Sequence, residues 1–409
     1  MDADRSATTE SQSQCCIVGG GPAGIMLGYL LARLGVEVTV LEQHADFFRD
    51  FRGDTIHPST LEILYELDLL DTFLATVPHQ ELRSLAAHIG TTTLRVADFT
   101  HLPTHCKFLA LAPQWEFLDF LRRAAERFPN FHLIMNARVD ALHRSGDRIT
   151  GVRATTPSGT LDIRADLIVG ADGRSSVVRE RAGLDVIDLG APIDVLWLRI
   201  SRRADDPAQG LGRIDDGQVA VLLDRGTYWQ CAYVIRKGAF DDLQRHGFDA
   251  FRNRFAALVP FVADRVGELA DWNDVKLLTV RVDRLRRWSG DGVLCIGDAA
   301  HAMSPIGGVG INLAIGDAVA TANRIGHLLH DGIVTPDDLD AVQRRREWPT
   351  RVVQRAQILF HERVLRRIFA QSGPMQPPAL LALFARFPIL ARLPAFAIGV
   401  GIRPEHVLT

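Results

Sequence analysis

Residues 15–42, CCIVGGGPAGIMLGYLLARLGVEVTVLE, constrain the fold more than any other stretch of this chain. Cys15 to Val18 is a short apolar run that reads as a buried strand. Gly19-Gly20-Gly21-Pro22-Ala23-Gly24 follows. Apolar residues at Ile25, Leu27, Leu30, Leu31 and Leu34 then predict a helix that Gly35 closes at its C-terminus. Val36 to Leu41 reads as a second strand, with Glu42 at its end. A G-x-G-x-x-G run between a strand and a helix is the arrangement that binds a dinucleotide. Gly19 permits the tight turn, Gly21 lets backbone approach a pyrophosphate, and Gly24 lets helix and strand pack closely. Pro22 and Ala23 open a helix whose N-terminus presents free N–H groups and the positive end of its dipole to phosphate. Glu42 can accept from both hydroxyls of a ribose. The motif alone does not separate NAD from FAD.

The remaining organisation comes from pattern and length. A chain of 409 residues is too long for one core and predicts two or three domains. Its net charge of -3 gives no reason to expect nucleic acid as partner. Five cysteines form no CxxC pair and no ladder, which points to a reducing, cytoplasmic setting. The polar lead, MDADRSATTESQS, has no apolar core of a signal sequence and reads as disordered. No run reaches the roughly 20 apolar residues of a membrane span. Arg386, Pro388, Arg392 and Pro394 interrupt the nearest candidate, Ala379 to Ile402. That tail is expected to pack on its own domain; a membrane-touching or homodimer-forming helix is the other reading.

Helices are expected at Pro58 to Leu70, with Ser59 as cap, and at Trp115 to Phe128. Short strands should fill Phe131 to Ile168, and mostly strands Asp194 to Val282, with a helix at Phe248 to Leu258. This β-rich block reads as a second domain inserted into the first, because GVLCIGD looks like a strand returning to the first sheet. The last long helix, about Ala341 to Phe369, carries eight arginines. A solvated face is the expected reading, a docking surface for anionic NADPH the alternative.

Two further segments place an aspartate just past a strand, where α/β folds bind ligands. One is Gly170-Ala171-Asp172-Gly173-Arg174-Ser175-Ser176. The other is Gly297-Asp298-Ala299-Ala300-His301, continuing through Pro305 to Gly307-Gly308-Val309-Gly310-Ile311-Asn312. The second glycine group brings backbone N–H groups to a helix start, which can hold negative charge on a reduced flavin ring. Asp172 could instead cap the helix after it. His301 reads as structural. His101, His105 and Cys106 have no second ligand pair, so no metal site is expected. Neither GxSxG nor HExxH occurs.

GxGxxG, the Asp172-Gly173 pair and the Gly297-Asp298 pair, in this order, resemble the flavoprotein aromatic hydroxylases of the para-hydroxybenzoate hydroxylase type. That family includes ubiquinone-biosynthesis hydroxylases and antibiotic-tailoring monooxygenases. The resemblance runs to about residue 360. It implies an α/β fold: a Rossmann-like FAD-binding domain of two pieces, 14–186 and 278–350. A β-rich substrate domain would be inserted at 187–277, with part of 79–110, and a helical segment would follow at 351–409. It also implies FAD held extended, with Glu42 on the adenosine ribose and Asp298 at the ribityl or pyrophosphate region. By the same resemblance Arg52 stands near the pyrophosphate, Gln114 on the ribityl chain, and the Val139 backbone against adenine. Pro305, Gly308, Gly310, Ile311 and Asn312 would lie beside the isoalloxazine. Gln43 departs from the pattern, since many members carry a basic residue after the acid.

The implied activity is a monooxygenase. NAD(P)H, as a transient co-substrate without a second nucleotide domain, reduces FAD. O2 then forms a flavin C4a-hydroperoxide that hydroxylates a small aromatic or phenolic substrate. No residue stands out as the catalytic base. A related FAD-dependent reductase, a halogenase, and a non-catalytic redox sensor are the rival readings. The halogenase WxWxIP segment is absent.

Overall fold

The computed structural model describes residues 8–48, 55–207, 211–332, 334–377, 383 and 386–408. Among them, two large sheets carry the fold. In the first, parallel strands Val293–Cys295, Gly159–Gly170, Thr8–Val18, Val38–Leu41 and Phe131–Ile134 lie side by side in that order. The strand Val38–Leu41 is buried throughout, as a sheet covered on both faces requires. Helix Pro22–Arg33 connects the first two strands in sequence and packs against Gly310–His330.

Three expectations need correction here. Thr8 to Ser13 is not a disordered lead-in: it extends the first strand, pairing with Thr160 to Ala165. Ladder bonds need backbone only, so the polar run pairs while Thr8 to Gln12 keep their side chains exposed. Ser59 does not cap the next helix. Pro58 holds the first helical position, as its missing N–H suits, and His57 is the cap. That helix ends at Glu66, and Asp68, at φ 56°, turns the chain into a separate helix, Leu70–Thr76.

The second sheet has seven strands in the order Lys276–Leu278, Ile193–Ser201, Tyr228–Arg236, Gln218–Asp224, Leu211–Asp215, Ser84–Ile89 and Thr92–Asp98. Side chains alternate between its faces. Leu196, Leu198, Cys231 and Tyr233 point to one face, where Phe251 and Phe255 of helix Phe248–Leu258 cover them. Val195, Val219 and Val234 point to the other, under Leu365 and Ile368. Beneath the first cover Asp206 accepts two hydrogen bonds from Arg265, at 2.6 and 2.8 Å, and one from Trp229 Nε1 at 2.7 Å. Both ionic side chains are 5% exposed or less.

The arginine-bearing helix begins earlier than the pattern suggests, at Pro336. Thr335 and Asp338 form a capping box there. It runs to Phe360 and continues through one wide turn, His361–Leu365, into Arg366–Phe369. Its arginines are not all a solvated face. Arg346 is 3% exposed and donates to Asp317 and Glu405, and Arg345 also donates to Glu405. The tail helix Arg392–Gly399 buries Ala395 and Gly399 beside Phe99 and Leu102; its Leu393, and Ile389 in the turn Pro388–Ala391 before it, face outward. Among the described residues no helix is long and apolar enough to cross a membrane.

Candidate functional site

The carboxyl ends of the parallel strands open into a cleft of about 410 Å³. Gly19 N donates to Leu41 O at 2.8 Å and Ala171 N to Val18 O at 2.7 Å, so three strand ends meet at its floor. Two glycines are demanded by this closeness. Gly19 sits at φ 108°, where a Cβ would stand 2.4 Å from Ala171 O. A Cβ on Gly24 would stand 1.9 Å from Gly19 O. Gly24 therefore packs the helix against the strand and does not line the cleft, whereas Gly19, Gly21, Pro22 and Ala23 do.

Glu42 is held at the cleft's edge. Its Oε2 accepts from Gly20 N at 2.9 Å; its Oε1 accepts from His44 N at 3.0 Å and meets His44 Nδ1 at 2.5 Å. The basic partner of the acid is thus His44, two positions on, which sequence reasoning missed; Gln43 lines the cleft beside it. Val139 and Gln114, the first residue of helix Gln114–Ala125, line the same space. Asp298 and Arg174 face each other across the far wall at 3.5 Å, a pairing the sequence did not disclose. Arg52 lies outside the described residues.

Asp172 does two things. Its Oδ2 accepts from Val177 N at 2.7 Å and Val178 N at 3.1 Å, the helix-capping role. Its Oδ1 is buried with no hydrogen-bond partner among the described residues, and Asp172 lines the cleft. Burial pushes this carboxyl above its ordinary range; the Ser176 hydroxyl and the two backbone donors oppose the shift.

The glycine turn after Pro305 is more committed than expected. Gly308 N donates to Pro305 O at 3.0 Å, so it is not a free donor. Asn312 is a brace: its Oδ1 accepts from His57 N and Thr60 Oγ1, and its Nδ2 donates to Thr55 O and Gly308 O. The cleft is lined instead by Gly310 and Ile311. They open helix Gly310–His330, whose first-turn N–H groups have no intrahelical acceptor. Gly297, at φ 59°, is wedged between Ala23 and Ala314, and donates to the buried Asp317 at 3.0 Å. Asp317 also receives His301 Nε2 at 2.6 Å and Arg346 Nε at 2.9 Å. Nearby His301 and Arg346 hold the Asp317 carboxyl below its ordinary range despite its burial. Arg346 passes the chain of contacts on to Glu405. His101 and His105 go elsewhere, to Arg392 and Glu62.

These features fit an extended dinucleotide. Gly21, Gly173 and Gly310 each leave open space where a Cβ would stand. Helix N-termini suit phosphate, and the two carboxylates suit sugar hydroxyls. The family model described as FAD binding domain matches residues 12–356. The chain belongs to this FAD-binding family of monooxygenases. It is 32% identical over 389 residues to 6-methylpretetramide 4-monooxygenase of Streptomyces rimosus, covering 94% of this chain and 90% of that one. Its fold matches p-nitrophenol 4-monooxygenase PnpA of Pseudomonas putida with a TM-score of 0.77 at 20% identity, over 95% and 98% of the two chains. It also matches the flavin-dependent brominase Bmp2, at TM-score 0.76 and 14% identity, over 97% and 95%. FAD is accordingly the cofactor and NAD(P)H the co-substrate of an FAD-dependent monooxygenase.

Proposed function

We propose that this enzyme hydroxylates an electron-rich, phenolic ring resting on the seven-stranded sheet, with O2 as the oxygen source. One observation carries the reading. Trp197, Ala232, Val221, Gly212 and Ala87 are successive cross-strand partners and so share a face. On one side of this row, Val195, Val234 and Val219 are covered by Leu365, Ile368 and Ile306. On the other, Leu223 and Leu85 are covered by Ala395, Ile398 and Val400. The row between is apolar; Ala232 and Trp197 belong to the first cluster, and beyond them Val221 is 39% exposed. Ile306 opens the glycine turn, so the uncovered strip begins beside the turn assigned here to the isoalloxazine.

Bound FAD, once reduced by NAD(P)H, supplies the activation of O2 that puts one oxygen atom on the ring while the other leaves as water. The chain's own residues bind, orient and exclude water. In this reading Glu42 and Asp298 hold opposite ends of the cofactor. Gly19, Gly21 and the helix beginning Pro22-Ala23 hold the pyrophosphate with Arg52, Gln114 holds the ribityl chain, and Val139 meets adenine. Gly310 and Ile311 turn N–H groups toward negative charge on the reduced ring. The apolar strip presents the substrate's ring edge and keeps water out.

The activities in the names of the two monooxygenases above support the phenolic reading; the brominase keeps halogenation as the rival. Phenols should be screened for stimulated NAD(P)H oxidation under labelled O2. One labelled oxygen per product is expected. Label from water, halide-dependent product, or reduction without O2 would sink the proposal. The buried, unpaired cysteines suit a cytoplasmic setting, and burial pushes the Cys16 thiol up to about 12. If a homodimer forms, the outward Ile389 and Leu393 are its natural contact, and sedimentation velocity decides it.

A further inference from the structure

The outer face of helix Pro336–Phe360 carries Arg344, Trp348, Arg351 and Arg355 at successive steps of four, three and four. At 3.6 residues per turn these share one stripe, roughly 16 Å long. Trp348 is 53% exposed, an unusual place for the largest apolar side chain. Arg344 and Arg355 are exposed, and Arg351 has one acid near it, Glu347, at 3.6 Å. A fourth guanidinium, Arg284, reaches the helix through Gln354 at 3.4 Å. Burial, then the charge of Arg351, holds Arg284 below the usual arginine range; Arg355 adds to this and Glu347 opposes it. Like charges are thus crowded around an exposed indole, an arrangement that an anion with an aromatic ring relieves.

The same helix is bolted to the active-site loop. Gln354 Nε2 donates to Asp283 O and Ala302 O, and Gln357 Nε2 donates to Ser304 O and Ile306 O. The stripe therefore lies across one helix from the segment leading into the glycine turn. The sequence contains no second GxGxxG to receive a pyridine nucleotide. We propose that Trp348, Arg351, Arg355 and Arg284 form the docking site for the adenosine-phosphate end of NAD(P)H, adenine on the indole and phosphates on the guanidinium groups. This rests on the reading of the chain as an NAD(P)H-using enzyme.

The test uses the FAD-loaded protein and NADPH, NADH and their oxidised forms as probes. Binding is read by quenching of Trp fluorescence and by equilibrium dialysis, and KM by nucleotide oxidation. The double variant Arg351→Gln/Arg355→Gln should raise Kd and KM about tenfold or more, flatten the salt dependence of binding, and keep its FAD. Trp348→Leu should abolish most of the quench and weaken binding several-fold. Arg363→Gln, which removes an arginine of the same helical run off the stripe, should bind as the parent does. An unchanged Kd in the double variant, or an equal loss in Arg363→Gln, overturns the site while leaving the enzyme reading intact. A parent protein that oxidises neither nucleotide with any phenol overturns both.

Discussion

The cofactor cleft and the uncovered strip of the seven-stranded sheet are made of different materials. At its floor the cleft presents backbone: glycines at strand ends, first-turn N–H groups, and a few acids held in place by main-chain donors. The strip is walled by side chains from five strands, four of them between residues 193 and 236 and one, Ser84–Ile89, from far earlier in the chain. Backbone recognition tolerates no added atoms and so forces particular residues at particular spacings. Side-chain recognition tolerates volume changes, so it forces little. Any substitution series should therefore fall into two classes, one losing FAD and the other losing substrate.

The largest expected effect is at Gly24. A Val there must displace Gly19 O, and Gly24→Val should yield protein without bound FAD, or none in soluble form; the ratio of flavin to protein absorbance reads this directly. A yellow, stable Gly24→Val would break the comparison at its root. Next comes a control under the cover of the seven-stranded sheet. Arg265→Met leaves Asp206 buried without its ion partner, which costs about 3–5 kcal/mol in urea unfolding. Glu42→Gln and Asp298→Asn should each weaken FAD binding by one to two powers of ten, the loss of one charge-assisted hydrogen bond at roughly 1.5–3 kcal/mol. Equal FAD affinity in both variants would move the cofactor out of this cleft.

Val221→Phe sharpens the other side. Filling the strip should raise KM for the phenol about tenfold, roughly 1.4 kcal/mol, with FAD affinity unchanged. Coupled losses of substrate and FAD would show that the two regions are one. The smallest effect is electrostatic. Arg153 donates twice to Asp162, and with His143 it holds that carboxyl down at about 2. The folded state thus favours the ionised form, and the stabilisation is present above about pH 4 and lost as pH falls toward 2. Asp162→Asn should flatten that acid limb of a Tm-against-pH curve without touching either site.

What could be read from the sequence follows the same division. The glycines of residues 19–24, Asp172 and Asp298 were legible because each follows directly on an apolar strand run. His44 was not, since nothing in its spacing distinguishes a base that turns back on Glu42 from a surface histidine. Arg174 was visible as a residue but its partner Asp298 arrives from another strand. Thr8 to Ser13 were misread because their polar side chains say nothing about a backbone ladder. Arg346 was hidden among solvated arginines, its buried acids lying on another helix and in the tail. The strip exists only after Ser84–Ile89 pairs with Leu211–Asp215, far along the chain, so no local pattern announced it.

The contact from Gly297 through Asp317 and Arg346 to Glu405 also sets a schedule for synthesis. A chain emerges from the ribosome N-terminus first, at roughly 5–20 residues each second. The dinucleotide fold of residues 15–42 is therefore available early, while the loop bearing Gly297 and Asp298 must wait for Arg346 and then Glu405. Until they arrive, Asp317 lacks its arginine and the Gly297 loop lacks its anchor. Firm closure of that loop is expected only once Glu405 has been made and has folded back onto Arg346.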